Sequence, residues 1–134
     1  MPIPTDRQRE IVRMAEEVIR YAHCPYTKFP VGAAVYTTDE RIFAAPNIEN
    51  ASPALSICAA RNAVFQAVSA GSDEIVLVVI YTPTKEPKPP CGCCRQVINE
   101  FCTDAHVYCV CDGTQVIHRR ISELLPDAFG AHLL

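Results

Sequence analysis

The chemistry of this 134-residue chain concentrates in its cysteines. Residues 90–94 read Pro-Cys-Gly-Cys-Cys, which places Cys91 and Cys94 three apart at the expected start of a helix. Side chains three apart on a helix share a face, and a helix N-terminus favours thiolate over thiol. The pair can therefore converge on one ion. Cys58 falls early in another expected helix, also near a positive helix end. Two helix starts facing each other would hold three thiolates around a metal and leave a fourth tetrahedral position open. On zinc, an open position marks a catalytic centre rather than a structural one. Cys93 neighbours a ligand but points elsewhere on the helix, so it reads as a bystander. Cys24, Cys102, Cys109 and Cys111 lie in helix or strand patterns and read as small core residues. A redox C-x-x-C follows a strand in a thioredoxin-like unit and gives an upstream helical cysteine no role. The zinc reading is therefore preferred.

The bulk composition limits what such a centre could act on. A chain of this length fits one domain, spanning 1–134, and its 49% apolar residues suffice for one core. The net charge is −3 and the lysines and arginines are scattered. A polynucleotide binder shows a basic face, so a small molecule is expected and a nucleic-acid polymer is not. The N-terminus is polar by residue six and has no apolar leader region. The longest apolar run, residues 75–81, has strand length and cannot span a bilayer. A cytoplasmic, reducing location is expected, without a disulfide framework.

The elements that must position the cysteines follow from periodicity and punctuation. Thr5 and Gln8 read as a capping box, opening a helix over 6–23 whose apolar stripe includes Ile11, Ala15 and Ile19. Pro25 ends it. Residues 31–38 and 42–45 read as strands around a Thr38-Asp39-Glu40 turn. Ser52-Pro53 reads as cap and first turn of a helix stopped by Gly71. Residues 75–81 suit a central strand covered on both faces. The proline-rich stretch 82–90 must be loop. A helix over 91–102 follows, then strands at 107–111 and 115–117 around Asp112-Gly113, and one helical turn at 121–125. This alternation predicts an α/β fold, a three-layer α/β/α sandwich around a mixed, roughly five-stranded sheet. The tail, 127–134, is oddly apolar for a chain end.

With these residues in place, the chain resembles the small homotetrameric cytidine deaminases. The handful of zinc-deaminase signature positions, His or Cys, one residue, Glu, then P-C-x-x-C, match at Cys58 and at Pro90 to Cys94. CPYTKFPVGAAV (24–35), NIENAS (47–52), ICAARNA (57–63), PCGCCRQ (90–96) and LLPDAFG (124–130) carry the resemblance along nearly the whole chain, in order. It implies one Zn²⁺ per chain on Cys58, Cys91 and Cys94. It implies a pyrimidine nucleoside substrate, cytidine or deoxycytidine, deaminated to the uracil nucleoside in salvage metabolism. Phe29 matches an aromatic lining the base pocket, and Asn47 and Glu49 match the pair gripping the ribose. Backbone groups at Ala59 and Cys91 match those holding the ring edge. Phe129 matches an aromatic that reaches into a neighbouring subunit's site, which would bury the apolar tail in a homotetramer with shared active sites. Arg61 and Arg95, each beside a ligand, would donate to the thiolates and restore the metal's Lewis acidity.

One position departs from the pattern. Cys58-Ala59-Ala60-Arg61 carries alanine where the family has glutamate. That glutamate is not a ligand; it moves protons. Alanine cannot, and no substitute is in view: Glu49 is committed to ribose, and Glu100 lies about two turns along its helix. The Ala60 form is expected to be inactive. Every other matching position is intact, which favours an introduced substitution. A natural, silent nucleoside binder is the alternative, as is a deaminase of a cytosine-containing nucleoside antibiotic, although Asn47 and Glu49 suit a plain ribose.

Overall fold

A computed structural model describes residues 5–134. Residues 1–4, which contributed to the reading of the N-terminus, lie outside the described residues. One five-stranded sheet organises the chain: β1 (Gly32–Thr37), β2 (Ile42–Pro46), β3 (Ile75–Thr82), β4 (His106–Cys111) and β5 (Ile117–Arg120), in the order β2-β1-β3-β4-β5. All pairings are antiparallel except β3 with β4. A parallel pair needs a long crossover, and helix α3 (Gly92–Glu100) makes it. Helices α1 (Thr5–Glu17), α2 (Ala59–Ser69) and α4 (Ile121–Leu124) complete the set among the described residues.

Side-chain alternation along the strands builds two cores. Ala33, Val35, Val78, Ile80, Val107 and Cys109 face the cluster that includes Ala63, Val64 and Ile98 of α2 and α3. Ala34, Tyr36, Leu77, Val79 and Tyr81 face Ile11 and Ala15 of α1. The layered sandwich expected from the sequence is thus present, with β3 covered on both faces. Helix α1 lies so close to β1 that a Cβ at Gly32 would sit 1.9 Å from the Ala15 carbonyl oxygen. Gly71 ends α2 with φ +89°, the left-handed position that glycine enters without penalty.

Several boundaries differ from the sequence reading, and each difference has a backbone cause. Helix α1 stops at Glu17 and tightens into a 3-10 turn at Val18–Tyr21 rather than running to residue 23. The chain must be extended by His23, whose N–H donates to the Asn47 carbonyl and whose carbonyl accepts from the Glu49 N–H. Ser52-Pro53 opens only a 3-10 turn, Pro53–Leu55, not the long helix expected. Ile57 exchanges two backbone hydrogen bonds with Ile48, at 2.8 and 3.0 Å, which forces extension and delays α2 to Ala59. Helix α3 ends at Glu100, two residues early, because the Phe101 carbonyl is taken by the Ile75 N–H. β5 begins at Ile117, paired with Cys109, so the connection from β4 is longer than the Asp112-Gly113 turn implied. Among the described residues no helix is long and apolar enough to cross a membrane.

Replacing Gly32 with alanine forces α1 off β1. Overpacking of this kind costs about 1–3 kcal/mol, so Gly32→Ala is expected to lower the urea midpoint without changing the far-UV spectrum of the folded chain.

Candidate active site

Three extended segments outside the sheet set the frame. His23 bridges to Ile48 in parallel, and Ile48 bridges to Ile57 in antiparallel fashion. This short ladder fixes Asn47 and Glu49 on either side of Ile48 and delivers Cys58, the residue after Ile57, to the N-cap of α2. Across the site, Cys91 is the N-cap of α3 and its sulfur accepts from the Cys94 N–H at 3.4 Å. Two helix N-termini therefore meet, as expected, but Cys58 occupies a cap rather than a first turn. Both caps place sulfur where the partial positive charge of a helix end is greatest.

The sulfurs of Cys58, Cys91 and Cys94 lie within 4.8 Å of one another. Cys58 Sγ is 3.7 Å from Cys91 Sγ, and Cys91 Sγ is 3.2 Å from Cys94 Sγ. Zinc with ligands at about 2.3 Å in a tetrahedron spaces its sulfurs by about 3.8 Å. The donor set and its spacing thus fit a single zinc, and the cluster lines an open cavity. The thiols cannot all ionise on their own. Hydrogen bonding from Cys94, with help from Arg61, pulls Cys58 down to about 5 against the opposing effect of burial. The cost falls on Cys94: its hydrogen bond to the Cys58 sulfur, together with burial, pushes its thiol far up.

The two arginines differ. Arg61 Nη2 donates to Cys58 Sγ at 3.5 Å and to the Ser56 carbonyl at 3.4 Å, while its Nε is buried without a partner. Arg95 does not follow the expectation of a thiolate contact. Its hydrogen bonds go to the Pro90 carbonyl at 2.9 Å and the Leu124 carbonyl at 3.0 Å. It pins the loop carrying Cys91 to the end of α4 instead.

A cavity of about 240 Å³ opens against the sulfurs. Small-molecule sites run from about 300 Å³ upward, so this one suits a compact ligand. Phe29, Asn47, Glu49, Ala59, Ala60 and Cys91 all line it. Ala60 is 3% exposed and presents only a methyl group. Asn47 accepts from the Val31 N–H and donates to the Phe29 carbonyl, both at 2.9 Å. That leaves one N–H and one lone pair of its amide for a ligand. Glu49 accepts from the N–H groups of Tyr26 and Thr27 and from the Thr27 hydroxyl. The Thr27 hydroxyl is the main reason its pKa is lowered. Both residues therefore shape the loop that presents Phe29. Phe129 stands apart: it is 57% exposed and does not line the cavity of its own chain.

Thr82, Lys88, Pro89 and Pro90 also line the cavity, and the sequence reading did not single them out for it. The signal was available in principle, since a loop leading straight into two metal ligands has to pass the metal. All eight cysteines are free. Of the four read as core residues, only Cys109 is buried, with its thiol pushed up to about 11 by burial. Cys24, Cys102 and Cys111 are half-buried. Cys93 is exposed and outside the cluster.

Comparison with known proteins agrees with this geometry. The model of the cytidine and deoxycytidylate deaminase zinc-binding region matches residues 5–110. A cytidine deaminase of Halalkalibacterium halodurans is 42% identical over 127 residues, covering 94% of this chain and 96% of that protein. The crystal structure of cytidine deaminase from Burkholderia pseudomallei superimposes with a TM-score of 0.86 at 35% identity, covering 90% of this chain and 98% of that one. The structure of the Mycobacterium tuberculosis cytidine deaminase gives 0.78 at 32% identity, covering 92% and 97%. With three clustered thiols, two opposed helix N-termini and a zinc-binding region matched over most of its length, this chain belongs to the zinc-dependent cytidine deaminase family.

Proposed function

We propose that the chain is built to deaminate cytidine and deoxycytidine hydrolytically, and that its Ala60 form binds these nucleosides without turning them over. The observation that carries this reading is one cavity lined by three metal-binding sulfurs, by Asn47 and Glu49, and by a methyl group at position 60. Zinc, when bound, supplies a Lewis acid that brings the pKa of water toward about 7. The chain's own residues do the rest. Phe29 and Val31 offer apolar surface to a pyrimidine ring, and Ala59 opens α2 with a backbone N–H that needs no helical partner. The spare donor and acceptor of Asn47 and the carboxylate of Glu49 suit the hydroxyls of a ribose.

Hydrolysis of an exocyclic amine needs a proton taken from water and given to the ring nitrogen and then to departing ammonia. A carboxylate at position 60 would stand against the sulfurs and the open end of the cavity at once. Alanine moves no proton. Glu49 lines the same cavity but is engaged with Tyr26 and Thr27. The proposed assembly is a cytoplasmic homotetramer of single-domain chains. The outward position of Phe129, close to the exposed Leu133 and Leu134, is what supports a neighbour's cavity as its destination. A natural, silent nucleoside binder is the second reading, favoured by the buried methyl at position 60 itself.

Two measurements test the proposal. The chain as it stands is expected to hold about one zinc and to bind cytidine by calorimetry with no ammonia release. Restoring the acid–base group by Ala60→Glu is expected to raise turnover by at least about 10²–10⁴-fold. If Ala60→Glu binds cytidine and releases no ammonia, the silent-binder reading replaces the enzyme. Zinc loading also has a proton signature. Cys58 is depressed and already ionised at neutral pH, whereas Cys94 is raised and protonated until a cation arrives. Metal uptake by the empty chain at pH 7 is therefore expected to release protons, Cys94 contributing one, and to weaken as pH falls. Calorimetry in buffers of different ionisation enthalpy reads that release.

A further inference from the structure

Lys88 is a cation on the wall of the substrate cavity that the mechanism above does not use. Among the described residues its ammonium has no hydrogen-bond or ion-pair partner. The other lysine near this wall, Lys28, is tied by its ammonium to the Pro25 carbonyl at 3.2 Å. Arg61 and Arg95 are committed to a sulfur and to backbone carbonyls. Lys88 is thus the one unengaged positive group lining the cavity among the described residues.

Its placement is stiff. The sequence around it is Pro87-Lys88-Pro89-Pro90. Each proline fixes its own φ, and the residue before a proline is held to extended backbone. Downstream, the Pro90 carbonyl is held by Arg95. Upstream, the Thr84 hydroxyl donates to the Glu86 carbonyl at 2.6 Å, and the Thr84 carbonyl accepts from the Asp112 N–H at 2.9 Å. Three residues of extended chain span at most about 10 Å, so the Lys88 Cα stays within reach of Cys91 while its four-carbon stem swings along the cavity mouth. The negative group nearest in role, Glu49, is neutralised locally by three donors from Tyr26 and Thr27.

We infer that Lys88 is a specificity-determining residue that gives this cavity an anion-binding arm. Resting on the nucleoside reading above, it assigns the substrate class as cytosine nucleosides carrying an anionic group on the sugar, a phosphate or a carboxylate at the 5′ end. The zinc-facing end of the cavity takes the amine, Asn47 and Glu49 take the sugar hydroxyls, and the ammonium meets the charge at the mouth. A lysine acts here as a flexible point charge rather than a bidentate fork, which suits either anion.

The test is titration of the zinc-loaded chain with cytidine, cytidine 5′-monophosphate and cytidine 5′-carboxylate, at low and at physiological salt. One charge-assisted contact at a cavity mouth is expected to favour an anionic ligand over cytidine by about five- to tenfold at low salt. That preference is expected to shrink at high salt, to disappear in Lys88→Met, to invert in Lys88→Glu and to return in Lys88→Arg. The two anionic ligands separate a phosphate site from a carboxylate site. If cytidine binds but neither anion binds better, or if the preference survives Lys88→Met, the inference fails and the deaminase reading stands. If no cytosine ligand binds at all, both fail.

Discussion

Everything at this site follows from confining three thiols to one corner of a folded chain. Sulfurs within 4.8 Å of one another cannot all carry charge without a cation. The chain answers the first charge with Arg61 and with two helix N-termini, and leaves the second to a neighbouring thiol proton. A divalent ion resolves the remaining conflict. The corner is therefore a binding site by electrostatic necessity, and its lining decides what sits beside the ion.

The supports around the sulfurs are backbone devices. The His23–Ile48–Ile57 ladder fixes the segment before Cys58 and the two polar residues facing the cavity together. Arg95 does the same for the loop before Cys91 by holding Pro90 to Leu124. Asn47 and Glu49 hold the turn that carries Phe29. The same side chains that would meet a sugar thus also shape the wall of its pocket. Losing either one would be felt twice, in packing of the loop and in the grip on the ligand.

Position 60 shows how separable binding and catalysis are in such a site. A methyl group there leaves the sulfur cluster, the ladder and the cavity intact. What it removes is a group that changes protonation during the reaction. Binding depends on complementarity that the fold supplies, whereas turnover depends on one titratable side chain.

The sequence by itself determined whatever short-range pattern encodes. Helical spacing paired Cys91 with Cys94, an unbroken apolar run marked β3, alternation separated the two faces of the sheet, and Gly71 ended α2. These depend on a few successive residues and their intrinsic geometry. The tertiary structure decided what needs distant segments to meet. Residues 53–58 carry helix-start chemistry, yet hydrogen bonds from Ile48 draw Ile57 into extension and make Cys58 a cap. Arg95 sits beside a ligand in sequence but donates to backbone on another helix. Lys88 looks like one more solvated loop charge until the fold lays its loop along the cavity. In each case the deciding partner lies on another segment, and packing, rather than local preference, chooses it.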